Sequence, residues 1–192
     1  MAISLIKGQK ISLDKEAGSS LNNVFMGLGW DAVKKKGFFA SFSDNSIDLD
    51  ASCALFDENK NIIDVVYFGK LQGGNGSIKH SGDNLTGEGD GDDEKINVNL
   101  SAVPDNVKSI IFTVNSFRGQ KFDEVENAYC RLVNAANNSE VAKFTLSGGG
   151  NHTAMIMAKV YKHNGEWKMH AIGEATNGRT IEDLADQMKS FA

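Results

Sequence analysis

Proline is almost missing: the chain has one proline against 20 glycines in 192 residues. Its turns must therefore be made by glycine and asparagine, and no proline-rich linker divides it. Cysteine is scarce too. Cys53 and Cys130 show neither a CxxC pattern nor zinc-ligand spacing, which argues against a structural zinc site or dithiol chemistry. Each falls on the apolar face of a predicted strand, as expected of a buried, reduced thiol in a cytosolic protein. No apolar run approaches the ~18 residues of a membrane-spanning helix. The opening "MAISLIKGQKISLDKEAG" carries Lys7 and Lys10 and no uninterrupted apolar stretch, unlike a secretory signal. An excess of positive charge is also lacking. The net charge of −5 argues against a non-specific nucleic-acid binder. His80, His152, His163 and His170 are scattered, with no Ser/His/Asp spacing among them.

What is present is alternation. "VFMGLGW" sets Val24, Met26, Leu28 and Trp30 on one face, and "LDASCALF" does the same with Leu49, Ala51, Cys53 and Leu55. "INVNL", "SIIFTVNSF", "AYCRLV", "VAKFTL" and "AMIMAKVY" continue the series. Period-two segments of this length are half-buried strands. Asn164-Gly165 between two of them signals a type I′ hairpin, and "DENKN" (residues 57–61) makes a looser turn. The pattern predicts a mainly β protein: an antiparallel β-sandwich with short peripheral helices, one domain over residues 1–192. "KFDEVENA" could give one or two helical turns before a strand at Tyr129. "TIEDLADQMKSFA" reads as a C-terminal helix. Thr180 is placed to cap it, and Ile181, Leu184, Met188 and Phe191 form an apolar stripe for packing on the sandwich.

One loop concentrates the acidity. "GDNLTGEGDGDDE" (residues 82–94) holds six carboxylates (Asp83, Glu88, Asp90, Asp92, Asp93, Glu94), four glycines and no base. Two carboxylates about 6 Å apart repel by roughly 3 kcal/mol at an effective dielectric near 20. The strand "KINVNL" follows at once, so the loop is tied down. Either its charges diverge into water or a cation sits among them. Only oxygen ligands are on offer, which favours Ca²⁺ or Mg²⁺ over zinc or copper. The spacing is not an EF-hand: starting at Asp90, Lys95 falls where the invariant glycine belongs. "DLDAS" adds Asp48 and Asp50 on one strand face, and Asp31 ends another strand just after Trp30.

"KKKGFFASFSDNS" (residues 34–46) breaks the alternation. Lys34, Lys35 and Lys36 stand next to Phe38, Phe39 and Phe42. The segment is either a loop folded over the core or an exposed basic–apolar contact for a partner or an anionic membrane.

"GLGWD", "IDLDAS", "HSGDNLTGEGDGDDE" and "NSFRGQ", with the opening "LIKGQKISLDK", together resemble the TerD family of tellurite-resistance and stress-response proteins. "VKKKGFFASF" and the ending "GRTIEDL" are most similar to that family's TerZ branch. The resemblance covers essentially the whole chain. It implies a β-sandwich binding two adjacent Ca²⁺ ions, with ligands at Asp48, Asp50, Asp83, Asn84, Asp90, Asp92, Asp93 and Glu94. Asp31 matches a recurring family position. Such ions would offset much of the loop's charge.

The leading expectation is a cytoplasmic calcium-binding protein of a tellurite-resistance or general stress-response system. It would act through other stress-response proteins, membrane-associated ones included, and could sit peripherally at the inner membrane surface. It is not expected to be an enzyme or to bind nucleic acid. One alternative is a metal-dependent hydrolase of phosphate-containing substrates. There His80, which borders the loop, is the one tempting base, though a surface histidine without catalytic role is the plainer reading. Another is an acidic scaffold for a basic partner.

Overall fold

The computed structural model describes all residues except 1, 2, 5, 14, 16–20, 33–46, 88–90 and 146–149. The lysine–phenylalanine segment, with Lys34, Lys35, Lys36, Phe38, Phe39 and Phe42, therefore lies outside the described residues, as do Glu88 and Asp90.

Two sheets stack face to face. The first runs β1 (Ile3–Ser4), β11 (Ser139–Thr145), β10 (Val125–Asn134), β3 (Asn23–Ala32), β8 (Glu94–Asn99), β7 (Ile78–His80) and β6 (Gln72–Gly73). The second runs β2 (Lys10–Ser12), β13 (Glu166–Thr176), β12 (Ala154–His163), β9 (Ser109–Ser116), β4 (Leu49–Phe56) and β5 (Ile62–Val66). Pairing is antiparallel throughout, apart from the short parallel pair β1–β11 at one edge. The alternating apolar residues face inward as their period requires. Val24, Met26, Leu28 and Trp30 of β3 meet Leu49, Ala51, Cys53 and Leu55 of β4 in one core with Ile96, Val98 and Phe112. Both cysteines are buried there, and desolvation pushes both thiols well above their ordinary range. Asn164 and Gly165 both take positive φ, as a type I′ turn demands.

The second sheet is covered on its outer face as well. Ile181, Leu184, Met188 and Phe191 lie over Ala54, Phe56, Ile111 and Ile156, which is why every residue of β4 is buried. Each such side chain withdrawn from water contributes about 1.5–3 kcal/mol. The helical segment is shorter than expected: a 3₁₀ turn (Glu182–Leu184) leads into one α-helix (Ala185–Lys189). The capping is also reversed. Asp183 Oδ2 accepts the N–H groups of Arg179 and Thr180, while no side-chain cap comes from Thr180. In "KFDEVENA" only Phe122–Glu124 coils, as a 3₁₀ turn, and the strand begins at Val125. Burial of Val125 and Ala128 against the core outweighs local helix preference there.

Candidate metal centre

The site grows from an unfinished edge. β5 pairs with β4 only from Cys53 onward, so the backbone at Ala51 has no strand beside it on that side. Two side chains from the other sheet take the place of a strand. Glu94 Oε2 accepts the Ala51 N–H at 2.7 Å, and His80 Nε2 lies 3.1 Å from the Ala51 carbonyl and 3.3 Å from Glu94 Oε2. His80 Nδ1 accepts the Gly82 N–H at 3.0 Å, which assigns the ring proton to Nε2. His80 is thus 6% exposed and braces the corner, which corrects the expectation of a surface loop histidine. It turns inward because it shares the inward face of β7 with Ile78.

Four residues of the acidic motif build the loop. Glu94 is fully buried, and its Oε1 also accepts the Asn84 N–H. Asn84 Oδ1 accepts the N–H groups of Thr86 and Gly87, and its amide donates to Asp93 Oδ1. Asp93 Oδ2 accepts the Trp30 N–H, and the Asp93 N–H donates to the Leu28 carbonyl. Asp92 folds over the outer face of the first sheet into a bidentate pair with Arg131, at 2.7 and 3.0 Å, and accepts from the Tyr129 hydroxyl. The carboxylate holds the Arg131 guanidinium more firmly charged, while burial and Asp92 raise the Tyr129 phenol to about 12. Gly27 and Gly29 make room for this: a Cβ at Gly27 would stand 2.5 Å from Asp92 Cγ, and one at Gly29 2.6 Å from the Gly91 carbonyl. The "GLG" of β3 is the seat on which the loop rests. Asp31 is exposed and accepts from the Asn127 amide at 2.7 Å.

The other three carboxylates converge. Each of Asp48, Asp50 and Asp83 offers an oxygen within 4.8 Å of those of the other two. Asp48, just before β4, and Asp50, within it, lie on the same face by alternation; Asp83 arrives from the loop after β7. Asp48 and Asp50 are only 3% and 2% exposed. Asp48 Oδ1 is shut off from solvent with no hydrogen-bond partner among the described residues. Its other oxygen lies 3.6 Å from Arg118 Nε, too far for a good hydrogen bond. Asn115, opposite Asp50 on β9, donates to Asp50 Oδ2 at 3.0 Å. Burial first, then Glu94, Asp48 and Asp83, push the Asp50 carboxyl up to about 8. Burial and Asp83 raise Asp48 as well, and burial raises Asp93. Asp83 borders an open groove of about 580 Å³ that Asn84, Asp92, Asp93 and Lys95 also line.

Full charges at this spacing repel by about 3 kcal/mol per pair at an effective dielectric near 20. A cation there would relieve that and give the orphaned Asp48 oxygen a partner. The donors are all oxygens, since both cysteines lie in the core and both His80 nitrogens are engaged. The set therefore fits a hard cation such as Ca²⁺. Of the residues expected as ligands, the structure brings together Asp48, Asp50 and Asp83. Asn84, Asp92, Asp93 and Glu94 are engaged in holding the loop, and Asp31 lies on the outer face of the first sheet. Sequence reasoning missed Asn115, Arg118, Tyr129 and Arg131 as partners of these acids. For Arg118 a signal existed, because "NSFRGQ" stood out as a motif; Tyr129 and Arg131 carry none beyond lying on the outward face of their strand.

The TerD-domain family model matches residues 1–188. Along the sequence the chain is similar to tellurium resistance protein TerZ of Serratia marcescens, 50% identical over 190 residues, or 98% of this chain and 97% of that protein. It is also similar to general stress protein 16U of Bacillus subtilis, 44% identical over 93% of each chain. The crystal structure of a homologue of telluride resistance protein TerD from Streptomyces coelicolor A3(2) superposes with a TM-score of 0.74. That match covers 88% of this chain and 98% of the other at 19% identity, which bears on the fold alone. From its sequence relatives and its family match, this chain belongs to the TerD family of tellurium-resistance and general stress-response proteins.

Proposed function

We propose that the chain is a Ca²⁺-binding module that serves tellurium resistance or general stress response through partner proteins. The observation that carries this is the convergence of Asp48, Asp50 and Asp83 around a buried Asp48 oxygen with no partner among the described residues. Asp48, Asp50 and Asp83 would hold the ion. The Glu94–His80 brace fixes the edge of β4 beneath it, and Asp92 and Asn84 keep the loop folded before any ion arrives. Calcium supplies positive charge that ties the β4 edge to the loop, which shapes the groove a partner would meet. The reading is of a binding protein and not an enzyme: a base facing the groove is the feature hydrolysis would need, and His80 spends both ring nitrogens on the brace. Cytoplasmic residence accords with this reading, and no helix of the described residues is long and apolar enough to cross a membrane.

Calorimetry on the metal-free chain tests the proposal. Ca²⁺ should bind at the Asp48–Asp50–Asp83 trio with a dissociation constant below roughly 10 µM, in the range of sensor sites and tighter ones. Absence of heat, or an equal response to Zn²⁺, would overturn it. Affinity capture with and without Ca²⁺ then asks whether partners follow the ion.

A further inference from the structure

The outer face of the second sheet is divided. One half lies under the C-terminal helix; the other carries a row of basic side chains. Lys10 of β2 is directly opposite His170 of β13, and His170 is directly opposite Lys159 of β12. In the next row Lys168 faces Tyr161. Lys60, in the β4–β5 turn, acts electrostatically on Lys159 together with Lys10. Neighbouring strands lie about 4.8 Å apart, so the three cross-strand partners span roughly 10 Å. Like charges placed directly opposite destabilise a sheet.

No carboxylate among the described residues pairs with the row, although the Lys159 ammonium also lies over the Tyr161 ring, 5.2 Å from its centroid. Lys10, Lys60, Lys159 and Lys168 form no ion pair there, and Glu174, farther along β13, pairs with Lys7 instead. Lys159 is partly buried and its Nζ donates to the Phe191 carbonyl at 2.7 Å, so its head is held in place on the face. The Lys159 ammonium and the His170 imidazole are both held below their ordinary range, by burial first and then by the neighbouring lysines. This crowding occurs on a chain whose net charge is −5.

We infer that the Lys10–His170–Lys159 row is a binding site for a phosphate-bearing anion. A phosphate group presents several strong acceptor oxygens to three donors carried on a rigid sheet, and its charge removes the repulsion along the row. The site lies on the face opposite the sandwich interior and takes no residue from the metal centre, so it stands or falls independently of Ca²⁺.

Two arms distinguish a free phosphate from a lipid headgroup, each run on the full chain with Ca²⁺ present. In the first, inorganic phosphate or pyrophosphate is titrated while the His170 ring is followed by NMR. In the second, the protein is co-sedimented with phosphatidylcholine vesicles with and without phosphatidylglycerol. A His170 response at sub-millimolar to millimolar phosphate identifies a free-anion site. Sedimentation only with phosphatidylglycerol, lost on raising the salt, identifies a headgroup site. Lys10→Ala, on the exposed edge strand, and Lys159→Met, which keeps the aliphatic stem, should each weaken the response about fivefold, the worth of one lysine at an anionic surface. Unchanged melting temperatures would separate that loss from unfolding. Silence in both arms, or binding that survives the Lys10→Ala/Lys159→Met double variant, overturns the inference.

Discussion

Asp92 and Asp48 are both low-exposure carboxylates of one acidic region, yet they do opposite things. Asp92 is met by Arg131, Tyr129 and a glycine cradle, so its charge is spent on holding the loop against the sheet. Asp48 has one ion-pair contact, with Arg118 at 3.6 Å, and an oxygen with no partner among the described residues. A carboxylate matched by protein donors is structure; one left unmatched beside two others is, on the proposed reading, where a cation would bind. The acidic residues of this chain thus fall into two populations, and residue type alone does not sort them.

The comparison can be broken most severely at the structural population. Replacing Glu94 with Ala leaves the buried N–H of Ala51 and the half-buried N–H of Asn84 without acceptors, at about 1–3 kcal/mol for a buried one. Urea unfolding should show a loss of about 2–5 kcal/mol, with or without calcium. A loss seen only when calcium is present would place Glu94 among the ligands instead.

Gly27→Ala should come next. Its Cβ cannot coexist with Asp92 where it lies, and overpacking of this kind costs about 1–3 kcal/mol. The loop should lift from its seat, so calcium affinity should fall along with stability. Unaltered calorimetry would show that seating the loop is irrelevant to the ion.

The motif's visibility in sequence followed its chemistry. Alternation revealed the strands because each buries one face, and β4 was legible because Leu49, Ala51, Cys53 and Leu55 all point into the core. The convergence of Asp48 and Asp50 was legible for the same reason, being a period-two relation. Their meeting with Asp83 was not legible from spacing, since it depends on a loop crossing from the other sheet. His80 read as a surface residue because three-residue β7 is too short to show a period. The 3₁₀ turn at Phe122 and the reversed cap at Asp183 were hidden by tertiary contacts that local preference does not contain.

A gentler perturbation is pH. In the metal-free protein burial and the neighbouring acids push Asp50 up to about 8, and raise Asp48 and Asp93 as well. A carboxyl whose folded pKa exceeds its unfolded value stabilises the fold at low pH and loses that contribution as pH climbs through the folded value. In chelator the melting temperature should therefore fall between about pH 5 and about pH 8. Saturating calcium should remove the trend and raise the melting temperature, by about 2.7 kcal/mol per site at 100 times the dissociation constant. A melting temperature that rises with pH in chelator would mean that the trio is neutralised by some other group.

The smallest effect is the most selective. Asp50→Asn keeps a hydrogen-bonding side chain beside Asn115 and removes one charge of the trio. Near pH 8 the metal-free variant should melt slightly higher than the parent, while its gain from calcium should shrink sharply. A variant that loses stability without calcium but responds to it normally would move Asp50 into the structural population.

The most direct measurement is to crystallise the chain with Ca²⁺ and locate the ion by anomalous scattering. The account predicts a peak about 2.3–2.6 Å from oxygens of Asp48, Asp50 and Asp83, with the Asp92–Arg131 pair intact. An ion bound through Asp92 with Arg131 displaced, or no ion at the trio in crystals that hold calcium elsewhere, would contradict it.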